Sequence, residues 1–174
     1  QSDGYAVFDY LEDFESGFDN WTFYDGTPSI VSQDGNQYLS SSSNTNSGIK
    51  GYVFADATDQ YAVNFSMKQV GNSEFWPVLN NNIPVMCEAE GYNLWYEIDG
   101  ITSRECPDGD NHLSQVGGSF LNGIDSWNHF SMSVSGEEKT VWVNDNFIGS
   151  FSDPTHVSSS RFGLYAWEAD NNSG

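Results

Sequence analysis

The stretch that decides the fold class runs from residue 127 to residue 151. It reads Trp127-Asn128-His129-Phe130-Ser131-Met132-Ser133-Val134, Ser135-Gly136-Glu137-Glu138, then Lys139-Thr140-Val141-Trp142-Val143-Asn144-Asp145-Asn146-Phe147-Ile148-Gly149-Ser150-Phe151. The first segment reads as a strand and the second as a turn. The third reads as a hairpin folded around Asn144-Asp145. Arg161-Phe162-Gly163-Leu164-Tyr165-Ala166-Trp167 adds one more strand.

Upstream, short strands alternate with turns rich in Gly, Asn, Asp and Ser. Strands are expected at Tyr5–Tyr10, Asp13–Glu15, Trp21–Tyr24, Ser29–Ser32, Gln37–Ser41, Gly51–Phe54, Tyr61–Val70, Phe75–Leu79, Tyr92–Asp99 and Ser119–Phe120. Ser40–Gly48 and Cys106–Asn111 read as polar loops. There is no internal repeat and no interdomain linker. The pattern is that of an all-β, antiparallel two-sheet sandwich or jelly roll.

Composition narrows the function. The chain has 174 residues with 5 Lys+Arg against 25 Asp+Glu, a net charge of −20. Nucleic acid binding needs cationic side chains to neutralise phosphates, so it is excluded. Anionic membranes and acidic polysaccharides are disfavoured for the same reason. Neutral sugars, cations and other copies of the chain remain as partners. Aromatic residues make up 16 % of the chain, which argues against disorder. No apolar run is long enough to span a bilayer, so no membrane insertion is expected.

Cys87 and Cys106 are the two cysteines. A bond between them would close a loop of about twenty residues and stabilise the fold by roughly 3 kcal/mol; two free buried thiols are the other reading. Three N-x-S/T sequons make Asn20, Asn64 and Asn171 candidates for glycosylation. Gln1 fits a mature end left by signal cleavage. Together these features point to a secreted protein or a cell-surface appendage.

The C-terminal run, with Trp127-x-x-Phe130, Val141-Trp142-Val143-Asn144-Asp145 and Arg161-Phe162-Gly163-Leu164-Tyr165, resembles the C-terminal half of concanavalin A-like (laminin G-like) β-sandwich domains. Asp13-Phe14-Glu15-Ser16-Gly17, followed by Trp21, resembles the opening strand of many secreted β-sandwich modules. The resemblance implies a sandwich over residues 13–174 and an extra N-terminal strand within residues 1–12. It also implies one more closing strand after Arg161–Trp167, which the chain lacks before Gly174. Tyr5-Ala6-Val7-Phe8-Asp9-Tyr10-Leu11 looks like that strand. An open sheet edge beyond Arg161–Trp167 would then accept Tyr5–Leu11, either folded back within its own chain or given by a neighbouring copy, and in the second case head-to-tail exchange would build a filament.

Trp95-Tyr96-Glu97-Ile98-Asp99 resembles the E-I-D-x-x-E strand of laminarinase-like glycoside hydrolases. Retaining hydrolysis needs two carboxylates about 5 Å apart. The motif's second glutamate is missing from Gly100–Thr102, and Glu105 is too far along. His112, His129 and His156 show neither triad nor zinc spacing. Arg104, Arg161, Lys50, Lys68 and Lys139 are too dispersed to line a lyase cleft. A non-enzyme is therefore expected, with no required cofactor.

Asp13, Glu15, Asp108 and Asp110 are candidate ligands for a structural Ca²⁺, since they offer hard oxygens in loops or strand ends. Trp76 and Trp95, near Pro77 and Asn80-Asn81-Asn82, are candidate sugar-stacking residues. Trp127 and Trp142 read as core. The leading functional reading is a non-enzymatic extracellular subunit that self-assembles by strand donation. The alternative is a carbohydrate-binding, lectin-like module of a secreted protein.

Overall fold

The computed structural model describes residues 14, 15, 17, 21–25, 28–41, 50–54, 60–68, 73–79, 91–97, 100–106, 111–123, 125–154 and 161–168. Three antiparallel sheets account for its strands. The largest contains β1 (Trp21–Asp25), β4 (Lys50–Phe54), β6 (Ser73–Leu79), β7 (Gly91–Glu97), β8 (Gly100–Cys106), β9 (Asn111–Gly117) and β13 (Arg161–Glu168), in the order β1-β4-β13-β6-β7-β8-β9. The second contains β5 (Gln60–Lys68), β10 (Trp127–Ser135), β11 (Glu138–Val143) and β12 (Asn146–Ser152), in the order β12-β11-β10-β5. A separate hairpin pairs β2 (Pro28–Gln33) with β3 (Asn36–Ser41).

Successive side chains on a strand point to opposite faces, and the four-stranded sheet shows this plainly. β10 buries Asn128, Phe130, Met132 and Val134, while Trp127, His129 and Ser135 are exposed. β11 buries Lys139, Val141 and Val143. These residues join Met67 of β5 and Phe151 of β12 in one core with Leu79, Leu113 and Phe162 of the seven-stranded sheet. The rings of Phe65 and Phe130 stack at 5.3 Å within the four-stranded sheet, and Phe65 meets Phe162 of the other sheet at 5.2 Å. Full burial of each such side chain stabilises by about 1.5–3 kcal/mol, so the two inner faces are what hold the layers together.

The hairpin turns have simple causes. Asn144 and Asp145 sit at φ +48° and +63°, the left-handed pair that a two-residue turn between twisted strands requires. Asp34 and Gly35, at φ +54° and +84°, do the same between β2 and β3. Gly149 is needed for a different reason. A Cβ there would lie 2.8 Å from Leu113 Cδ2, so a side chain on β12 at that position would force the buried Leu113 to shift.

Several expectations are corrected. Phe14 and Glu15 lie in a turn closed by a 3.2 Å bond from the Gly17 amide to the Phe14 carbonyl, not in a strand. Ser119 and Phe120 belong to a 3-10 turn, Gly118–Phe120. The polar run after Tyr92–Glu97 carries two further strands, β8 and β9, which pair with one another.

The largest correction concerns the edge assigned to strand donation. β13 is an interior strand, paired to β4 on one side and β6 on the other. The edge beyond Arg161–Trp167 is therefore already filled by this chain's own strands, and it cannot accept Tyr5–Leu11. Residues 5–11 lie outside the described residues, as do Cys87, Asn20 and Asn171.

Candidate functional site

The two stacking candidates come together in the seven-stranded sheet. Phe75 pairs with Tyr96 and Val78 with Asn93, a register that sets Trp76 opposite Trp95 across β6 and β7. On the other flank of β6, Trp76 stands opposite Tyr165 of β13, and Trp95 stands opposite Thr102 of β8. Three aromatic ladder positions thus form one row, at 165, 76 and 95. Within β6, Pro77 and Leu79 are buried in the core. Strand periodicity places position 76, and with it the row, on the sheet's outer side. Glu97 ends β7 opposite Gly100, with no carboxylate residue at the facing position.

A second constellation lies on the outer face of the four-stranded sheet. Ser131 of β10 is opposite Asn64 of β5 on one side and Trp142 of β11 on the other, and Trp142 is in turn opposite Phe147 of β12. The Trp142 and Phe147 rings meet at 5.5 Å and 60°, forming an apolar wall. Phe147 is 61 % exposed. One row along, Ser66 Oγ and His129 Nδ1 are 3.3 Å apart. Asn64, His129, Ser131, Trp142 and Asp145 line an open depression of about 350 Å³. At the end of β10, Trp127 is 46 % exposed, meets Tyr38 edge-on at 5.6 Å, and lies 5.6 Å below the Lys68 ammonium.

An asparagine network holds this face to the loop before β10. The fully buried Asn128 accepts at Oδ1 from the Asn122 amide and from Asn144 Nδ2, each at 2.8 Å. Asn144 Nδ2 also donates to the Phe120 carbonyl at 2.9 Å, and the His129 amide donates to Asn144 Oδ1 at 2.9 Å. The turn that carries Asp145 is thereby fixed relative to His129. At the opposite end of β11, the buried Lys139 donates to the carbonyls of Glu137 and Asp153 at 2.9 and 2.8 Å.

Trp127 and Trp142 are thus surface residues of this face, not core. The signal was present in the sequence: Trp142 is out of phase with Val141 and Val143, and Trp127 with Asn128 and Phe130. His129, Ser131 and Asp145 were missed because no linear motif joins them; the strand register does. Of the calcium candidates, Glu15 is exposed and its Oε2 accepts from Gln37 Nε2 at 2.9 Å. Asp13, Asp108 and Asp110 lie outside the described residues. Among the described residues, no group of three His, Cys, Asp or Glu side chains could hold a metal ion. Cys106 ends β8 opposite Gly91. Among the described residues no helix is long and apolar enough to cross a membrane.

No family model matches the sequence, and no curated protein is similar to it. Solved structures do match. The carbohydrate-binding module CBM66 from Bacillus subtilis superposes with a TM-score of 0.61 at 13 % identity, over 88 % of this chain and 91 % of that one. A Bacillus subtilis protein of unknown function with a galectin-like fold gives 0.67 at 9 % identity, over 88 % and 85 %. Bacillus licheniformis β-glucanase gives 0.61 at 9 % identity, over 92 % and 85 %. The fold is a concanavalin A-like jelly roll. At such identities the likeness establishes architecture only, and a binding module and a hydrolase share it equally.

Proposed function

We propose that this chain is a non-catalytic, extracellular carbohydrate-binding module that takes a neutral glycan on the outer side of the seven-stranded sheet. The observation that carries the reading is the register that sets Trp76 opposite Trp95, with Tyr165 next in the row. Sugar rings present apolar C–H faces that stack on aromatic side chains, and a row of aromatic positions across neighbouring strands suits successive sugars of a chain. The strand spacing of about 4.8 Å is close to the pitch of such a chain's rings. The net charge of −20 selects against uronic or sulfated polymers. The similarity to a carbohydrate-binding module supports the same choice, and the missing second glutamate after Glu97 supports binding without hydrolysis.

Strand donation has lost the acceptor edge on which it rested, because β13 is flanked on both sides. The glycan reading is tested by affinity electrophoresis and calorimetry against a panel of neutral polysaccharides. Retention is expected for at least one, with Trp76→Ala and Trp95→Ala each weakening it tenfold or more while the melting temperature holds. Retention unaffected by either substitution, or none across the panel, would overturn the reading.

A further inference from the structure

The depression on the four-stranded sheet has one of the chain's sequons built into its rim. Asn64-Phe65-Ser66 lies within β5, where Asn64 and Ser66 are exposed and Phe65 turns inward to stack on Phe130. The acceptor amide and the hydroxyl of the sequon therefore share the outer face, while the residue between them anchors the strand in the core. Among the described residues β5 is the last strand of its sheet, with β10 as its one neighbour there.

We propose that Asn64 is an N-glycosylation site and that the trough over Ser131, between Asn64 and Trp142, seats the first sugar of its glycan. This inference is independent of glycan binding on the opposite sheet. Asn64 and Trp142 both face Ser131 in the ladder, which puts them two strand spacings, roughly 10 Å, apart. The small Ser131 leaves the space between them open, and the depression is about 350 Å³. A pyranose linked to Asn64 Nδ2 reaches across Ser131 and lays its C–H face against the Trp142 indole. The Phe147 ring, 5.5 Å from that indole, extends the apolar wall. His129 and Asp145, which also line the depression, offer polar partners to the ring's hydroxyl and N-acetyl groups. The sugar covers aromatic surface that would otherwise face water.

The modification requires a lipid-phosphate-linked oligosaccharide and a transferase. Asn64 Nδ2 attacks the anomeric carbon, forming the C–N bond. The bond from that carbon to the phosphate oxygen breaks, its electron pair leaving with the lipid phosphate. The amide gives up one proton to the transferase's base.

The test uses the full chain secreted from eukaryotic cells competent in N-glycosylation. Glycopeptide mass spectrometry should find Asn64 occupied, and Ser66→Ala should abolish occupancy with Asn64 intact. Protein trimmed by endoglycosidase to a single sugar should melt about 2–4 °C above the Asn64→Gln variant. Trp142→Thr, which puts a strand-favouring β-branched residue in place of the indole, should erase that difference. So should Ser131→Gln, which fills the trough and remains informative if Trp142→Thr does not fold. An unmodified Asn64 overturns the proposal. A melting gain that persists in Trp142→Thr or Ser131→Gln overturns the seat assigned to the sugar.

Discussion

Replacing Asn128 with alanine tests whether the asparagine network organises the end of the four-stranded sheet. Asn128 is fully buried, and its Oδ1 accepts two bonds of 2.8 Å, from the Asn122 amide and from Asn144 Nδ2. Its Nδ2 makes a longer bond of 3.3 Å to the Ser126 carbonyl. Each neutral bond contributes about 0.5–1.5 kcal/mol. Asn144 Nδ2 keeps the Phe120 carbonyl as acceptor, and Asn122 is exposed, so water takes up its backbone N–H and the loss is that of the three bonds themselves. The sum is about 3 kcal/mol. In a chain of this length that lowers the melting temperature by roughly 6–12 °C. Urea unfolding followed by tryptophan fluorescence gives the free energy directly. A cycle with Asn144→Ala should show coupling of about 0.5–3 kcal/mol, because the two residues share a bond. A loss below 1 kcal/mol for Asn128→Ala, or strict additivity in the cycle, would refute the reasoning.

Three further outcomes follow from the same geometry. Lys139→Met keeps the buried aliphatic stem but removes the donor to the Glu137 and Asp153 carbonyls; a loss of about 1–3 kcal/mol is expected in urea unfolding. Gly149→Val forces a side chain into the space where a Cβ already lies 2.8 Å from Leu113 Cδ2; it should cost about 1–3 kcal/mol, part of which Leu113→Ala recovers in the double variant. Glu97→Gln and Asp99→Asn should leave glycan retention unchanged, and neither they nor the parent chain should release reducing ends from a β-glucan. Hydrolysis that vanishes with Glu97→Gln would show that the site is catalytic.

The sequence by itself determined the all-β class, most strand positions and the hairpin at Asn144-Asp145. It could do so because alternation and turn chemistry are local: each depends on residues within a few positions of one another. The same locality explains its errors. Ser119-Phe120 and Phe14-Glu15 carry strand-forming residue types, and only the closed turns around them decide otherwise. β8 and β9 alternate too weakly to stand out as strands, and the pairing of β8 with both β7 and β9 is what makes them so. Trp127 and Trp142 were assigned to the core on size and hydrophobicity, although the phase of their neighbours already placed them on the other face. The tertiary structure alone decided which strands are edges. No local signal states that β13 lies between β4 and β6, strands more than eighty residues away from it in the chain, so the acceptor edge inferred from the C-terminal run was never open. It also alone decided which distant residues share a face: Trp76 with Trp95 and Tyr165, and Asn64 with Ser131 and Trp142. A sheet brings residues together by register, and register is set by how two inner faces pack, a property of the whole chain that no segment contains.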